Sequence, residues 1–130
     1  MANETEGKDL PRERLDRGVR LLLADKSKGF YIVAKVGAET VGQLMVTFEW
    51  SDWRAGTFWW IQSVYVDSPF RRSGIYRALY EHVLGLAKAD ASVCGVRLYV
   101  ERHNTVAQQT YADLGMTRAA YEMFEVDFTS

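Results

Sequence analysis

The chain has 130 residues, 48% of them hydrophobic and 25% charged, and this composition excludes a disordered or fibrous protein. Sixteen basic and seventeen acidic side chains leave a formal net charge of -1, which excludes a global positive field that would gather nucleic acid or an anionic membrane. The single cysteine, Cys94, excludes an intramolecular disulfide framework and fits a reducing compartment.

The first predicted element is a helix. Polar residues predominate in the first nine positions, the last of which, Asp9, can cap the helix, and Pro11 fits its first turn. The helix is expected to end within residues 26–29. The apolar residues of one face are Leu15, Val19 and Leu22.

A β-hairpin and a central strand are predicted next. Phe30–Val36 and Val41–Trp50 have the pattern of antiparallel strands joined by the turn Gly37–Thr40. The polar stretch Ser51–Gly56 turns the chain again. Phe58–Val66 is apolar at nearly every position, which predicts a strand covered on both faces in the middle of a sheet.

A second helix is predicted after this strand. It opens at Ser73 and Gly74 and runs to about Asp90, with a wide apolar face. The residues of that face are Ile75, Leu79 and Leu86, extended by Tyr76, Tyr80 and Val83. The next strand is Val96–Glu101.

The last elements are a helix and a strand. Thr105–Leu114 is helical, with Asn104 as its N-cap and Gly115 as its C-terminal cap, and Arg118–Phe128 is the final strand. The order contains no repeat and no linker, so we predict one domain over residues 1–130. The fold class is α/β, a mixed sheet with helices on both faces, in which the strands on either side of the second helix are parallel.

The most informative segment joins the central strand to the second helix through a basic loop. The first N–H groups of a helix have no internal partner, and Gly74 lets a ligand approach the main chain. Arg71, Arg72 and Arg77 add positive charge. These residues fit a phosphate site, and they equally fit a basic helix cap in solvent.

Two motifs resemble those of the GNAT superfamily of N-acyltransferases. Arg71-x-x-Gly74-x-Tyr76 after a Val-Tyr-Val strand resembles its acyl-CoA pyrophosphate loop. A later block resembles a second motif of the superfamily, and its residues are Leu98-Tyr99-Val100-Glu101-x-x-Asn104-x-x-Ala107-x-x-x-Tyr111-x-x-x-Gly115-Met116. The combination is specific, and it implies a GNAT-like fold with acyl-CoA between the parallel strands that end at Val66 and Val100.

The resemblance also implies roles for individual residues. The Val66 main chain would face the acetyl carbonyl and the pantetheine, and Asn104 would hydrogen-bond the pantetheine arm. Tyr111 would protonate the departing CoA thiolate, and it also fits a helix aromatic packed on the sheet. The implied binding set for acetyl-CoA is Tyr65, Val66, Arg71, Arg72, Ser73, Gly74, Ile75, Tyr76, Arg77, Asn104 and Tyr111.

The chain departs from the superfamily's pattern in two places. Tyr76 occupies a loop position that usually holds Gly or Ala, and a bulky residue there is expected to narrow the approach to the phosphates. The usual first strand and most of the first helix are missing, with only Asn3–Asp9 to represent the end of that helix. The sheet edge left uncovered favours homodimerisation.

The acceptor side is less determined. No carboxylate lies on Phe58–Val66, so the general base is unassigned, and the candidates are Glu49, Asp52, Glu101 and His103, each of which also fits a solvated or capping side chain. Trp50 and Trp53 are candidate substrate contacts near a loop. Trp59 and Trp60 face opposite ways on one strand, so they cannot line the same pocket.

We therefore predict an N-acetyltransferase that moves an acetyl group from acetyl-CoA to a primary amine. The alternatives are a non-catalytic CoA-binding or protein-interaction module of the same fold and a generic phosphate-binding domain. No metal is expected, since His82 and His103 lie in no ligand cluster. No apolar run approaches a membrane span and no secretory signal is present, so we expect a cytoplasmic protein that binds neither membrane nor nucleic acid.

Overall fold

The computed structural model describes residues 12–71 and 73–129, which form a four-stranded sheet with helices on both faces. The elements in chain order are α1 (Arg12–Ala24), β1 (Gly29–Val36), β2 (Glu39–Ser51), β3 (Gly56–Val66), a 3-10 turn (Ser68–Phe70), α2 (Ile75–Ala89), β4 (Val93–Leu98) and α3 (Thr105–Asp113). The strand order is β1-β2-β3-β4, antiparallel except for the parallel pair β3 and β4. The predicted α/β class and the parallel pair are confirmed, but the second strand of this pair is Val93–Leu98 and not the predicted Val96–Glu101. It begins three residues earlier, directly after a turn in which the N–H of Val93 donates to the carbonyl of Asp90. The expected helix start at Asp9 and Pro11 lies outside the described residues.

The hydrophobic core lies between the sheet and α2. Alternate residues of the two central strands point to this face, which we call the core face. The buried sheet residues are Leu44, Val46, Trp59 and Ile61, and the residues of α2 that cover them are Leu79, Tyr80, Val83 and Ala87. The prediction that β3 lies in the middle of the sheet is confirmed.

One residue of the predicted core stripe of α2 is misplaced. Leu86 is 42% exposed, so the prediction that it lines the core is wrong. The buried stripe follows the four-residue spacing of Leu79, Val83 and Ala87, and a residue one position before Ala87 is rotated by about 100° away from that stripe.

The opposite sheet face is covered by α1. Leu22 is buried, and Leu15 and Val19 are half-buried, as their spacing predicts. Leu15 and Val19 border a cavity of about 40 Å³ together with Tyr31 and Gln43. Gln43 precedes a core-face residue of β2, so it points to the other side of the sheet, and α1 therefore packs on the face opposite to α2.

The predicted final strand, Arg118–Phe128, is wrong for this structure. Residues 117–129 form neither helix nor strand, and every one of them is exposed. Apolar and polar residues do alternate there, but a strand also needs a neighbouring backbone. Among the described residues, β4 has a paired neighbour on one side only.

Candidate active site

Strands β3 and β4 separate towards their C-terminal ends. The last paired residues are Ile61 and Leu98, whereas β3 continues to Val66. Between these points Ser63 has a φ of 52° and lies where β3 carries one more residue than β2, which makes it part of a β-bulge. The bulge bends β3, and we call the resulting opening between the two parallel strands the strand gap.

The main chain of Val66 points into the strand gap. The N–H of the next residue, Asp67, donates to the carbonyl of Val41 in β2, with a distance of 2.7 Å between N and O. Because successive residues of a strand direct their N–H and C=O groups to opposite sides, those of Val66 point away from β2. The side chain of Val66 is fully buried in the core, so the main chain is the part that reaches the gap.

The N-terminus of α2 lies just after this strand and has no side-chain cap. Gly74 is the N-cap residue, with a left-handed φ of 84°, and its carbonyl accepts the first helical hydrogen bond, from the N–H of Ala78. A Cβ at Gly74 would have no atom within 4 Å, so the approach is open. The N–H groups that precede the first helical bond belong to Ile75, Tyr76 and Arg77, and such groups form an anion site.

The loop side chains differ in how they are engaged. The Nε of Arg71 donates to the carbonyl of Val66 at 2.8 Å, and its guanidinium lies 5.5 Å from the centre of the Tyr65 ring. Arg77 does not add a free charge to the loop as predicted, because its Nε pairs with Glu81 at 2.7 Å on the exposed side of α2. Arg72 lies outside the described residues.

The first turn of α2 packs against the rest of the fold. Tyr76 is half-buried and packs against the core cluster, and its narrowing of the approach to the loop stays a prediction. The Oγ of Ser73 donates to the carbonyl of Phe70 at 2.6 Å, which orders the loop. A Cβ at Gly42 would lie 3.0 Å from Ile75, so this glycine lets the start of α2 approach β2.

Asn104 lies in the connection that follows β4, at the same end of the sheet as the strand gap. Its Oδ1 accepts a hydrogen bond from the N–H of Ala107 at 3.1 Å, which confirms it as the N-cap of α3. Gly115 has a φ of 90° and confirms the predicted C-terminal cap. The side-chain oxygen of Asn104 is thus used by the helix, and its amide group remains on an exposed surface.

Tyr111 forms a pair with Tyr80, which the helical pattern assigns only to the core. Its hydroxyl lies 3.1 Å from the hydroxyl of Tyr80, and the two rings meet edge to face with centres 5.3 Å apart. Tyr80 is only 4% exposed, and its burial and its closeness to Tyr111 raise its pKa far above the usual value near 10. A buried tyrosine needs a partner for its hydroxyl, and this requirement is the signal that could have identified the pair.

The candidate substrate contacts and the candidate base of the β2–β3 hairpin lie at the end of the sheet opposite the strand gap. β3 has 11 residues, so about 35 Å separates its two ends. Trp50, Asp52 and Trp53 precede β3, whereas the strand gap opens at its C-terminal end, and Trp53 is 85% exposed. The structure therefore places all three at the end of β3 that lies away from the strand gap.

Glu49, a candidate base, is occupied by a structural network at that same end. Its Oε1 accepts hydrogen bonds from the Nε1 of Trp60 at 2.9 Å and from Arg97 at 2.8 Å. Glu101 and His103 follow β4 and so lie at the gap end, where the Oε2 of Glu101 accepts a hydrogen bond from the N–H of His103 at 2.7 Å. Only these two predicted candidates share the end of the sheet with Tyr111.

Three further features limit the chemistry of the described chain. Within residues 12–71 and 73–129, no group of three or more His, Cys, Asp or Glu side chains could hold a metal ion. Cys94 is a free thiol and half-buried. None of the helices that the structure describes is both long and apolar enough to cross a membrane.

Comparisons with known proteins agree with this geometry. The model of the acetyltransferase (GNAT) family matches residues 2–116, which include both motifs and the strand gap. A comparison with curated proteins gave no match.

Similar solved structures carry the same fold. A possible acetyltransferase from Clostridium difficile 630 is 46% identical, with a TM-score of 0.92 over 99% of this chain and 85% of that one. An aminoglycoside acetyltransferase from an uncultured soil metagenomic sample is 21% identical, with a TM-score of 0.71 over 93% of this chain and 77% of that one. Glucosamine-6-phosphate N-acetyltransferase from Arabidopsis thaliana is 21% identical, with a TM-score of 0.66 over 91% and 80%. The last two are similar in fold alone.

Proposed function

Because the chain belongs to the GNAT acetyltransferase family, we propose that it transfers an acetyl group from acetyl-CoA to a primary amine in the cytoplasm. The observation that carries the proposal is a coincidence of three features at one end of the sheet. The strand gap opens there, the N–H of Val66 points into it, and the uncapped N-terminus of α2 follows directly. The strand gap fits the thioester, the N–H of Val66 fits its carbonyl oxygen, and the N-terminus of α2 fits the pyrophosphate.

The cofactor would be held by the loop and by the two strand ends. The N–H groups at the start of α2 and the guanidinium of Arg71 would bind the pyrophosphate, and the open approach at Gly74 would admit it. Tyr65 and Val66 would line the pantetheine arm from one side, and Asn104 would donate its amide from the other. A hydrogen bond from the pantetheine arm to the Val66 carbonyl would displace the Nε of Arg71 from that oxygen.

Acetyl-CoA supplies an activated acyl group as a thioester, and the residues of this chain act on the carbonyl oxygen and on the sulfur of that thioester. The N–H of Val66 donates to the carbonyl oxygen as negative charge builds on it. The amine nitrogen forms a bond to the carbonyl carbon, and the carbon–sulfur bond breaks with its electron pair going to sulfur. Tyr111 then gives its hydroxyl proton to that sulfur.

Tyr80 serves as a positioning residue for Tyr111. Burial keeps Tyr80 protonated, so its hydroxyl can donate to the oxygen of Tyr111 at 3.1 Å. In that arrangement the proton of Tyr111 is left for the sulfur, and the phenolate that remains keeps a hydrogen-bond donor. The amine must lose one proton, for which Glu101, His103 or water are the acceptors within the described part of the gap end.

The amine would enter from the α1 face of the sheet. The bulge residues Ser63 and Val64 border the small cavity next to α1, on the side away from α2. Tyr80 and Tyr111 belong to the other side, where α2 and α3 lie. Entry from the α1 face would let the amine add to one face of the thioester carbonyl while the sulfur stays on the side of Tyr111.

The first test is calorimetric titration of the full chain with acetyl-CoA, CoA and ATP. We expect saturable binding of both CoA compounds and weaker binding of ATP. Arg71→Ala is expected to weaken CoA binding about tenfold or more, because it removes a charged hydrogen-bond donor. Arg54→Ala is the matched control, because it removes the same charge in the β2–β3 turn at the far end of the sheet and is expected to leave binding unchanged.

The second test measures release of the CoA thiol with a panel of polyamines, amino sugars, amino acids and peptide N-termini. Turnover with at least one amine supports the proposal. CoA binding without turnover on any amine favours the non-catalytic module, and preference for ATP over CoA favours a generic phosphate-binding domain. Either of these results would overturn the proposed reaction.

A further inference from the structure

The C-terminal segment, residues 118–128, exposes large apolar side chains, which alternate with acidic ones from Phe124 onwards. Phe124, Val126 and Phe128 would lie on one side of an extended chain, and they are 91%, 79% and 94% exposed. Glu125 and Asp127 would lie on the other side, together with the exposed Tyr121 and Met123. An amphipathic strand has this pattern, and so many exposed apolar side chains in one short segment are unusual for an isolated soluble chain.

The outer edge of β4 is incompletely covered. All six residues of β4 are only half-buried, although its parallel partner β3 contains fully buried positions. Just beyond β4, Tyr99 stacks on Trp60 with ring centres 4.5 Å apart and is still 56% exposed. An unpaired strand edge presents free N–H and C=O groups, and it is the place where another chain adds a strand.

We propose that residues 118–128 of one copy form a strand on the outer edge of β4 in a second copy, and that the second copy returns the same segment. This edge has no partner strand within residues 12–71 and 73–129. The protein is then a dimer that exchanges its C-terminal strands. This proposal rests on the sheet edge and the segment alone, and it holds whether or not the chain is an acetyltransferase. It differs from the dimer expected from the sequence, which was based on the opposite, N-terminal edge.

The C-terminal cap of α3 favours exchange over pairing within one chain. The N–H of Met116 donates to the carbonyl of Tyr111 at 3.0 Å, and that of Gly115 donates to Ala112 at 3.0 Å. These two bonds, with the left-handed Gly115, form a Schellman motif, which fixes the direction in which the chain leaves the helix. Only Thr117 then separates the cap from the segment, so the chain has little length in which to turn back onto its own β4.

The area involved is sufficient for a stable dimer. Aromatic side chains bury about 150–250 Å² each, and the segment contributes Tyr121, Phe124 and Phe128 besides two smaller apolar residues. Exchange doubles every contact, so the two segments together cover on the order of 1,000 Å² or more, which is the size of a specific interface. The exchanged strand would also run beside the end of β4 that borders the strand gap.

Cysteine scanning tests the pairing directly, because Cys94 in β4 is the only cysteine of the chain. Residues 122–127 of the full chain are changed to cysteine one at a time, and each variant is mildly oxidised and run on a non-reducing gel. A disulfide between neighbouring strands needs Cα atoms about 4.4–6.8 Å apart, so only the positions opposite Cys94 can react. We expect a covalent dimer at one position, or at two positions that are two residues apart.

Light scattering supplies the second measurement. We expect about twice the 14.9 kDa of one chain for the unmodified protein at micromolar concentration. Phe124→Ser combined with Phe128→Ser should give the monomer mass, whereas the matched change Glu125→Ser with Asp127→Ser should keep the dimer. Circular dichroism confirms that both variants fold.

Three results would overturn the proposal. A disulfide within one chain would mean that the segment closes on its own β4. A monomer mass for the unmodified protein would exclude exchange. A dimer mass with no crosslink at any of the six positions would mean that another surface forms the dimer.

Discussion

The hydroxyl pair of Tyr80 and Tyr111 makes the most discriminating prediction, because the two partners are buried to different degrees. Tyr80 is 4% exposed and Tyr111 is half-buried. Three variants form a double-mutant cycle, Tyr80→Phe, Tyr111→Phe and the two combined. Each replaces a hydroxyl with hydrogen and leaves the edge-to-face rings in place.

The free energies of unfolding follow from which hydroxyl is left without a partner. Tyr111→Phe leaves the buried hydroxyl of Tyr80 unsatisfied, at a cost of about 1–3 kcal/mol. Tyr80→Phe leaves a hydroxyl that can turn towards water, so its cost is about 0.5–1.5 kcal/mol. The double variant leaves no buried hydroxyl without a partner, so its free energy of unfolding should be close to that of Tyr80→Phe alone. The coupling energy should then equal the cost of Tyr111→Phe, about 1–3 kcal/mol.

Urea unfolding followed by tryptophan fluorescence gives the free energy of unfolding of each protein in the cycle. In a thermal experiment, each kcal/mol corresponds to a shift of about 3–5 °C in Tm for a chain of this length. Turnover is measured on the same proteins once an acceptor is known. Proton donation contributes about 10²–10⁴-fold to a rate. We expect Tyr111→Phe to lower kcat by an amount near the lower limit, because a thiol with a pKa near 8.5 leaves readily. Tyr80→Phe should lower kcat less, and neither change should alter CoA affinity.

Additive free energies would refute the hydroxyl pair, since unlinked groups show no coupling. An unchanged kcat in Tyr111→Phe would remove Tyr111 from the mechanism even if the coupling is found. The stability and the rate therefore test the structural and the catalytic role separately.

Three further predictions test the fold and the location of the site. Gly95→Ala would bring a Cβ to 2.6 Å from the ring of Phe58, and it should lower the free energy of unfolding in urea by about 1–3 kcal/mol. Gly85→Ala is the control, because its Cβ would have no atom within 4 Å, and it should be neutral or stabilising by up to about 1 kcal/mol. Equal effects of the two changes would contradict the packing at β4. Trp53→Ala should leave the KM for the amine unchanged in a thiol-release assay, and a raised KM would return the hairpin to the acceptor site. The pKa of Tyr80 is raised on folding, so its contribution to stability is complete below about pH 10 and is lost as the pH rises further. Between pH 8 and pH 11 the Tm should therefore fall more steeply for the unmodified protein than for Tyr80→Phe. Parallel curves of Tm against pH would count against the raised pKa.

Features that depend on a few neighbouring residues were predictable from the sequence. The caps at Asn104 and Gly115 are set by side-chain chemistry and backbone freedom within one turn, and both are confirmed. The hairpin and the central strand were predicted to within two residues, because apolar patterning and turn residues are local signals. The two motifs of the site, which are also contiguous stretches, led to the correct family.

Features that depend on which elements meet in space were not predictable. The bond from Arg71 to the carbonyl of Val66 exists because the chain folds back after β3, and the sequence shows only an arginine in a loop. Tyr80 looked like any apolar helix position, since its partner lies on another helix. Trp53 was an attractive aromatic residue near a loop, but the strand direction decides which loop faces the gap. The alternating pattern of residues 118–128 indicates a strand without indicating whose sheet it joins.

The bulge at Ser63 divides β3 into two parts that tolerate change differently. Before it, Trp59 and Ile61 occupy the core face at odd positions, and after it Val66 occupies that face at an even one. A substitution in the first part therefore alters packing while the main chain that borders the strand gap keeps its position. The second part depends on backbone direction more than on side-chain identity. Substitutions in the first part can thus change the packing of the core almost independently of the backbone direction in the second part, provided that the extra residue between the two parts is kept.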